Sequence, residues 1–95
     1  MVIGVLKLVL ILPENHSLKG KRSVLRKIQA RVSNRFNVST TECGDQDLWQ
    51  RALLGFAAAG SNPRIVEATL REVMEFVHRM GLAELGESEL RVLHE

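Results

Sequence analysis

The first dozen residues of the chain are almost free of polar side chains. From Val2 to Leu12 the sequence reads VIGVLKLVLIL, and Pro13 closes the run. Its length, its β-branched content and the proline predict a strand. At period two, even positions bring Val2, Leu6, Leu8, Leu10 and Leu12 to one face. Odd positions bring Ile3, Val5, Val9 and Ile11 to the other, with Lys7 among them. A strand apolar on both sides is central and covered on both sides. The face that carries Lys7 is expected to be the outer one.

The period then changes. Leu18, Val24, Leu25, Ile28, Val32 and Phe36 fall within a stripe of about 120° at helical spacing, which predicts a half-buried helix. Ser17 is placed to cap it, with Gly20 marking a later start as the alternative. Residues Asn37–Cys43 read as a polar edge strand, Gly44–Asp47 as a turn, and Leu48–Gln50 as a helical turn. The segment 51–60, RALLGFAAAG, suits a helix by its alanine and leucine and a strand by its glycines and shortness. A strand is expected, because the neighbouring pattern requires one. Asn62 then caps a helix with Pro63 at its first position. Val66, Leu70, Val73, Val77 and Met80 keep helical spacing up to Gly81, a left-handed terminator. Glu67–Arg71 and Glu75–Arg79 are i, i+4 pairs in the favourable order. Leu85–Glu87 read as a turn and Ser88–His94 as a last alternating strand. The order β-α-β-β-α-β is that of a ferredoxin-like α+β fold: a four-stranded antiparallel sheet with two helices on one face. One domain over residues 1–95 is expected, without repeats.

Composition agrees with this. The 95 residues are 45% apolar and 25% charged, enough for one core and against disorder. The single cysteine excludes a disulfide framework. No run of 18 apolar residues is present, so no spanning helix is expected. The start lacks a basic segment and a cleavage site, so no signal peptide is expected and the cytoplasm is the expected location.

Charge changes the picture more. The net charge of +2 hides an asymmetry: residues 1–41 carry eight basic side chains and one acidic one, a net +7. Residues 42–95 carry a net −5, and no acid lies between Glu14 and Glu42. Such a block makes a basic face that attracts phosphates or an acidic partner, unless it is simply a solvated helix face. Lys19, Lys21, Arg22, Arg26, Lys27 and Arg31 are the candidate nucleic-acid contacts. The first three surround a predicted helix N-terminus, where free backbone N–H groups favour anions. A bland alternative has Lys19 and Lys21 solvating a loop and Arg22 paired with Glu14 or Glu42.

Other constellations are weaker. Glu42, Asp45 and Asp47 match no complete cation loop, and turn aspartates more often cap backbone groups. Cys43 has no CxxC partner, and His16, His78 and His94 are scattered. A half-buried strand thiol is the expectation for Cys43. Trp49, the one tryptophan, is expected to anchor its loop on the core, with an exposed interface anchor as the alternative. No phosphate-loop or dinucleotide motif is present. Phe56 is the only aromatic in a predicted strand, so base stacking on the sheet is disfavoured. No catalytic residue, metal or cofactor is expected.

Three segments carry a resemblance: Ser17-Leu18-Lys19-Gly20-Lys21-Arg22-Ser23-Val24-Leu25, Arg35-Phe36-Asn37-Val38-Ser39, and Asp47-Leu48-Trp49-Gln50-Arg51-Ala52. Together they resemble the YlxP-like family of bacterial proteins of unknown function, over residues 2 to 93. Cys43–Gly44 departs from the more strand-like pair expected there. The resemblance implies a ferredoxin-like fold. It also implies a setting among translation and ribosome-maturation genes, hence association with RNA or the ribosome, and it transfers no catalytic residue. Two readings follow. One is a non-enzymatic protein that binds ribosomal RNA or the ribosome through the first helix. The other is a homo-oligomeric structural or regulatory module, joined through the uncovered sheet face at Ile3, Val5, Val9 and Ile11. A phosphatase of the acylphosphatase type shares the fold, but its signature loop is absent.

Overall fold

The computed structural model describes residues 1–95. The chain forms β1 (Val2–Ile11), α1 (Leu18–Arg35), β2 (Ser39–Gly44), β3 (Arg51–Gly60), α2 (Pro63–Met80) and β4 (Glu84–His94). This is the β-α-β-β-α-β order, with one antiparallel sheet in the order β2-β3-β1-β4. The longest apolar run becomes β1, a central strand, as its two-sided hydrophobicity requires.

The even face of β1 meets the helices. Val2, Leu6, Leu8, Leu10 and Leu12 are buried with Ala52, Leu54, Phe56 and Ala58 of β3. Leu25, Ile28 and Val32 of α1 and Val66, Leu70, Val73 and Val77 of α2 close this core. At Gly4 the helix comes down on the strand. A Cβ there would lie 2.5 Å from Val66 Cγ1 and 2.6 Å from Leu70 Cδ1, so no side chain fits. The helix boundaries follow their signals. Ser17 Oγ accepts from Gly20 N at 2.9 Å, and Asn62 Oδ1 accepts from Arg64 N at 2.9 Å. Gly81 closes α2 at φ 66°, a conformation that suits glycine.

Several local expectations fail, the first being the bounds of β2, which starts at Ser39 and not Asn37 and takes in Gly44 from the expected turn. Residues 48–50 make no helical turn; they belong to the loop joining β2 to β3. Residues 85–87 do not turn either, because β4 already runs from Glu84. Its pairing with β1 shifts between Leu8 and Leu10, so the strand holds an irregularity there in place of a turn. Gly86 lets β4 approach: a Cβ on it would meet Val9 Cγ1 at 3.1 Å. Val9 is consequently only 8% exposed, and it is withdrawn from the open face to which the sequence assigned it.

The rest of that face is open. Ile3, Val5, Lys7 and Ile11 of β1 share it with Leu53, Ala57 and Ala59 of β3 and with Glu89, Arg91 and Leu93 of β4. Ile3, Val5, Ile11 and Leu53 are half-buried, while Lys7, Ala57, Ala59 and Leu93 are exposed. Cys43 stands on the same side over Gly55, and its thiol is exposed rather than half-buried. The edge strand offers it no second layer.

Candidate nucleic-acid interface

The basic block becomes α1. Its apolar stripe faces the core, and Lys19, Arg22, Arg26, Lys27 and Arg31 are all exposed on the remaining surface. None of the five has an acidic partner within ion-pairing distance. On α2 the opposite holds, where Glu67 pairs with Arg71 at 3.5 Å and Glu75 with Arg79 at 3.7 Å. Within α1, Arg22–Arg26 and Lys27–Arg31 are like-charged at i, i+4, each pair costing a few tenths of a kcal/mol. The first turn holds Lys19 and no acid, against the sense of the helix dipole. The chain itself relieves neither cost, and a polyanion laid along the helix would relieve both. Arg35, at the far end, stands apart: its guanidinium lies 5.0 Å from the centre of the Phe76 ring and 5.8 Å from that of Phe36.

Lys21 does not belong to this surface. It is 1% exposed, the one charged side chain in the buried interior. Its ammonium donates to the carbonyls of Asp45 at 2.7 Å, Arg51 at 3.3 Å and Gln46 at 3.4 Å. It also lies 3.2 Å from Glu42 Oε2. That oxygen is buried and accepts no well-aligned hydrogen bond, so the ion pair acts through charge proximity. No phosphate reaches such a group, and Lys21 is removed from the candidate contacts. The signal was available in the spacing. At 100° per residue Lys21 falls at the centre of the stripe defined by Leu18, Val24, Leu25, Ile28 and Val32. A cation at that phase is a core residue in search of acceptors, and the β2–β3 loop supplies them.

That loop is consequently held hard. Asp45 adopts φ 61°, a left-handed conformation that aspartate tolerates better than most residues. Its carboxylate accepts from Arg51 Nε at 2.8 Å. Gln50 Nε2 donates to the carbonyls of Pro13 and Asn15, both at 3.1 Å, and Leu12 N donates to Gln50 O at 2.9 Å. Asn15 Nδ2 bridges the carbonyls of Ser17 and Trp49. Gly20 leaves room for this amide, since a Cβ there would collide with Asn15 Oδ1. Glu42 and Asp45 are thus each engaged in an ion pair, and no cluster of three metal-ligating side chains forms.

The loop's apolar side chains point the other way. Trp49 is 53% exposed and Leu48 is 48% exposed, so Trp49 does not anchor the loop on the core. Polar contacts to the backbone have taken over that task. His16, Asp47, Leu48, Trp49, Gln50 and Arg51 line an open groove of about 540 Å³ beside the start of α1. A larger groove of about 830 Å³ lies between the β1–α1 loop, Val24, His78 and the α2–β4 connection. No helix is long and apolar enough to cross a membrane.

Comparison with known proteins adds the family. The family described as "Protein of unknown function (DUF503)" matches residues 3–90. The chain is 43% identical over 76 residues to "Uncharacterized protein YlxP" of Bacillus subtilis (strain 168), covering 80% of this chain and 83% of that protein. Among solved structures it resembles a mutant of SnoaB, a cofactor-independent oxygenase from Streptomyces nogalater, with a TM-score of 0.56 at 11% identity. That likeness covers 99% of this chain and 92% of the other, and it is a likeness of fold alone.

Proposed function

The chain belongs to the DUF503 family of proteins of unknown function, and from that premise we propose that it is a non-enzymatic cytoplasmic protein that binds ribosomal RNA or the ribosome through α1. The observation that supports this reading is the run of five exposed cations, Lys19, Arg22, Arg26, Lys27 and Arg31, with no acidic partner among them. Lysine and arginine so arranged neutralise phosphates and release counterions, which gives affinity that falls steeply with salt. Such contacts carry no sequence code, and they suit an RNA recognised by its shape. Ribosomal RNA is the polyanion we take as the ligand, being structured and abundant in phosphates that such a face can track. Arg22 and Arg26 matter more than Lys27, because a guanidinium can hold a phosphate bidentately.

The test is the affinity for ribosomal RNA fragments at two salt concentrations, with wild type beside the double variant Arg22→Glu, Arg26→Glu. Both positions are exposed, so the fold survives. The variant should bind more weakly, with a salt slope shallower by roughly two. Equal affinities and equal slopes would refute the reading.

A second reading concerns self-association, and the open sheet face favours it. Ile3, Val5 and Leu93 toward one end and Ile11 and Leu53 toward the other, with Lys7, Glu89 and Arg91 between them, make a mixed face that neither helix covers. The simplest occupant is a second copy across a two-fold axis. The two readings are compatible, because the sheet face and the helix layer lie on opposite sides of the molecule.

A further inference from the structure

The tryptophan is where the structure departs most from what its sequence context suggests. An exposed indole on a loosely held loop would be ordinary, but here the backbone is fixed from three sides. Lys21 holds the carbonyls of residues 45, 46 and 51, Asn15 holds that of Trp49, and Gln50 is tied to the β1–α1 loop. A buried charge is thereby committed to keeping a loop in shape, while the loop's two large apolar side chains face solvent. We propose that Trp49 is a stacking platform for an unpaired base of a single-stranded RNA segment whose phosphates follow the basic face of α1. This deepens the reading given under Proposed function and rests on it.

The placement carries the argument. Asn15 Nδ2 bonds the carbonyls of both Trp49 and Ser17, so the tryptophan backbone lies one side chain away from the N-cap of α1. Lys19 and Arg22 follow within the next turn, exposed and unpaired. His16 shares the groove with the indole. Asp47 and Arg51 both line the groove, but the guanidinium is already paired with Asp45 at 2.8 Å, so Asp47 is the uncompensated charge and disfavours a phosphate inside it. The groove is therefore left to an uncharged base, for which the aspartate is an acceptor of a base N–H, and the phosphates fall to the cations outside. Aromatic platforms beside a basic track are the common solution for single strands, because every base has a face that stacks. The sheet lacks the aromatics for this task; the loop has one, pre-positioned, so little ordering entropy is lost on binding.

Trp49 is the only tryptophan and the chain has no tyrosine, so intrinsic emission reports on this one side chain. The experiment titrates the protein with a mixed-sequence single-stranded oligoribonucleotide of about 12 nucleotides, with its duplex, and with inorganic polyphosphate. Binding of the labelled oligonucleotide is followed in parallel by anisotropy. The single strand should quench the emission in step with binding, the duplex should quench less, and polyphosphate should compete for binding without quenching. Trp49→Leu should fold as wild type and bind the single strand roughly tenfold more weakly with an unchanged salt slope. Trp49→Phe should recover most of that loss. Emission unchanged at saturation, or wild-type affinity in Trp49→Leu, would overturn the proposal while leaving the RNA reading standing if Arg22→Glu, Arg26→Glu still weakens binding. Absence of binding to all three probes would overturn the proposal, and the RNA reading falls with it if ribosomal RNA fragments are not bound either.

Discussion

Lys21→Met is the most informative single change in the fold. Methionine keeps the aliphatic stem in its place among the core residues of α1 and removes only the ammonium. The cost has two parts. The carbonyls of Asp45, Gln46 and Arg51 lose a charged donor at 2.7, 3.4 and 3.3 Å. Hydrogen bonds to charged groups are worth roughly 1.5–3 kcal/mol each, and only the shortest of the three contributes its full value. Glu42, whose Oε2 is buried 3.2 Å from the ammonium, loses its counter-charge. Removing one partner of a buried pair costs about 3–5 kcal/mol, and the Glu42 side chain, being 23% exposed, falls at the lower end because water reaches it. Both losses come from the one ammonium, and the cost of deleting one partner already contains the hydrogen bonds lost with it, so the parts are not added. We take about 3 kcal/mol, which for a domain of this size lowers the melting temperature by roughly 15 °C. Far-UV circular dichroism against temperature measures it, with Lys19→Met as the control. That residue is exposed and unpaired, and its variant should melt within about 3 °C of wild type. Adding Glu42→Gln to Lys21→Met should restore part of the loss, because the carboxylate is then no longer stranded. A Lys21→Met protein that melts with wild type would refute the assignment of Lys21 as the pin of the β2–β3 loop.

The remaining expectations are simpler. Ile28→Asp and Val32→Asp each place a charge where the side chain is at most 1% exposed; both should unfold or severely destabilise the protein, and a normal thermal melt in either would mean that the buried face of α1 is wrongly assigned. Self-association should appear as a two-fold dimer in sedimentation at tens of micromolar. Val5→Glu should convert it to monomer with little loss of stability, whereas Val9→Glu would disturb the fold itself, because Val9 lies against Gly86 in the β1–β4 pairing. A wild-type protein that is monomeric throughout that range would dispose of the second reading.

Much of the architecture was legible because the local signals agree with one another. The Ser17 cap, the Asn62–Pro63 start and Gly81 all mark true boundaries. The two-sided apolarity of β1 places it at the centre, with Lys7 on the outer face. The failures arise where one element depends on a partner that local pattern does not reveal. Gly86 reads as a turn residue alone, and becomes a strand residue because β4 has to pass close over Val9. Trp49 reads as an anchor from its hydrophobicity, and is freed from that role because Lys21, Asn15 and Gln50 secure the loop through its backbone. Lys21 reads as a surface cation by its charge, whereas its helical phase places it in the core.

The basic segment Ser17–Arg22 therefore mixes two kinds of residue that composition cannot separate. Ser17 caps the helix, Gly20 admits the Asn15 amide, and Lys21 turns inward to hold the neighbouring loop. Lys19 and Arg22 make no contact that the fold needs. The inward set nevertheless determines what the outward set can do, since it fixes the start of α1 relative to the loop bearing Trp49. Loss of Lys21 should then act on RNA binding indirectly. Below its lowered melting temperature, the Lys21→Met protein keeps all five exposed cations and so should keep the full salt slope, while the quenching of Trp49 by a single strand should weaken as the loop loosens. A Lys21→Met protein whose salt slope falls like that of Arg22→Glu, Arg26→Glu would show the buried lysine to be a phosphate contact after all, and would require the end of α1 to open on binding.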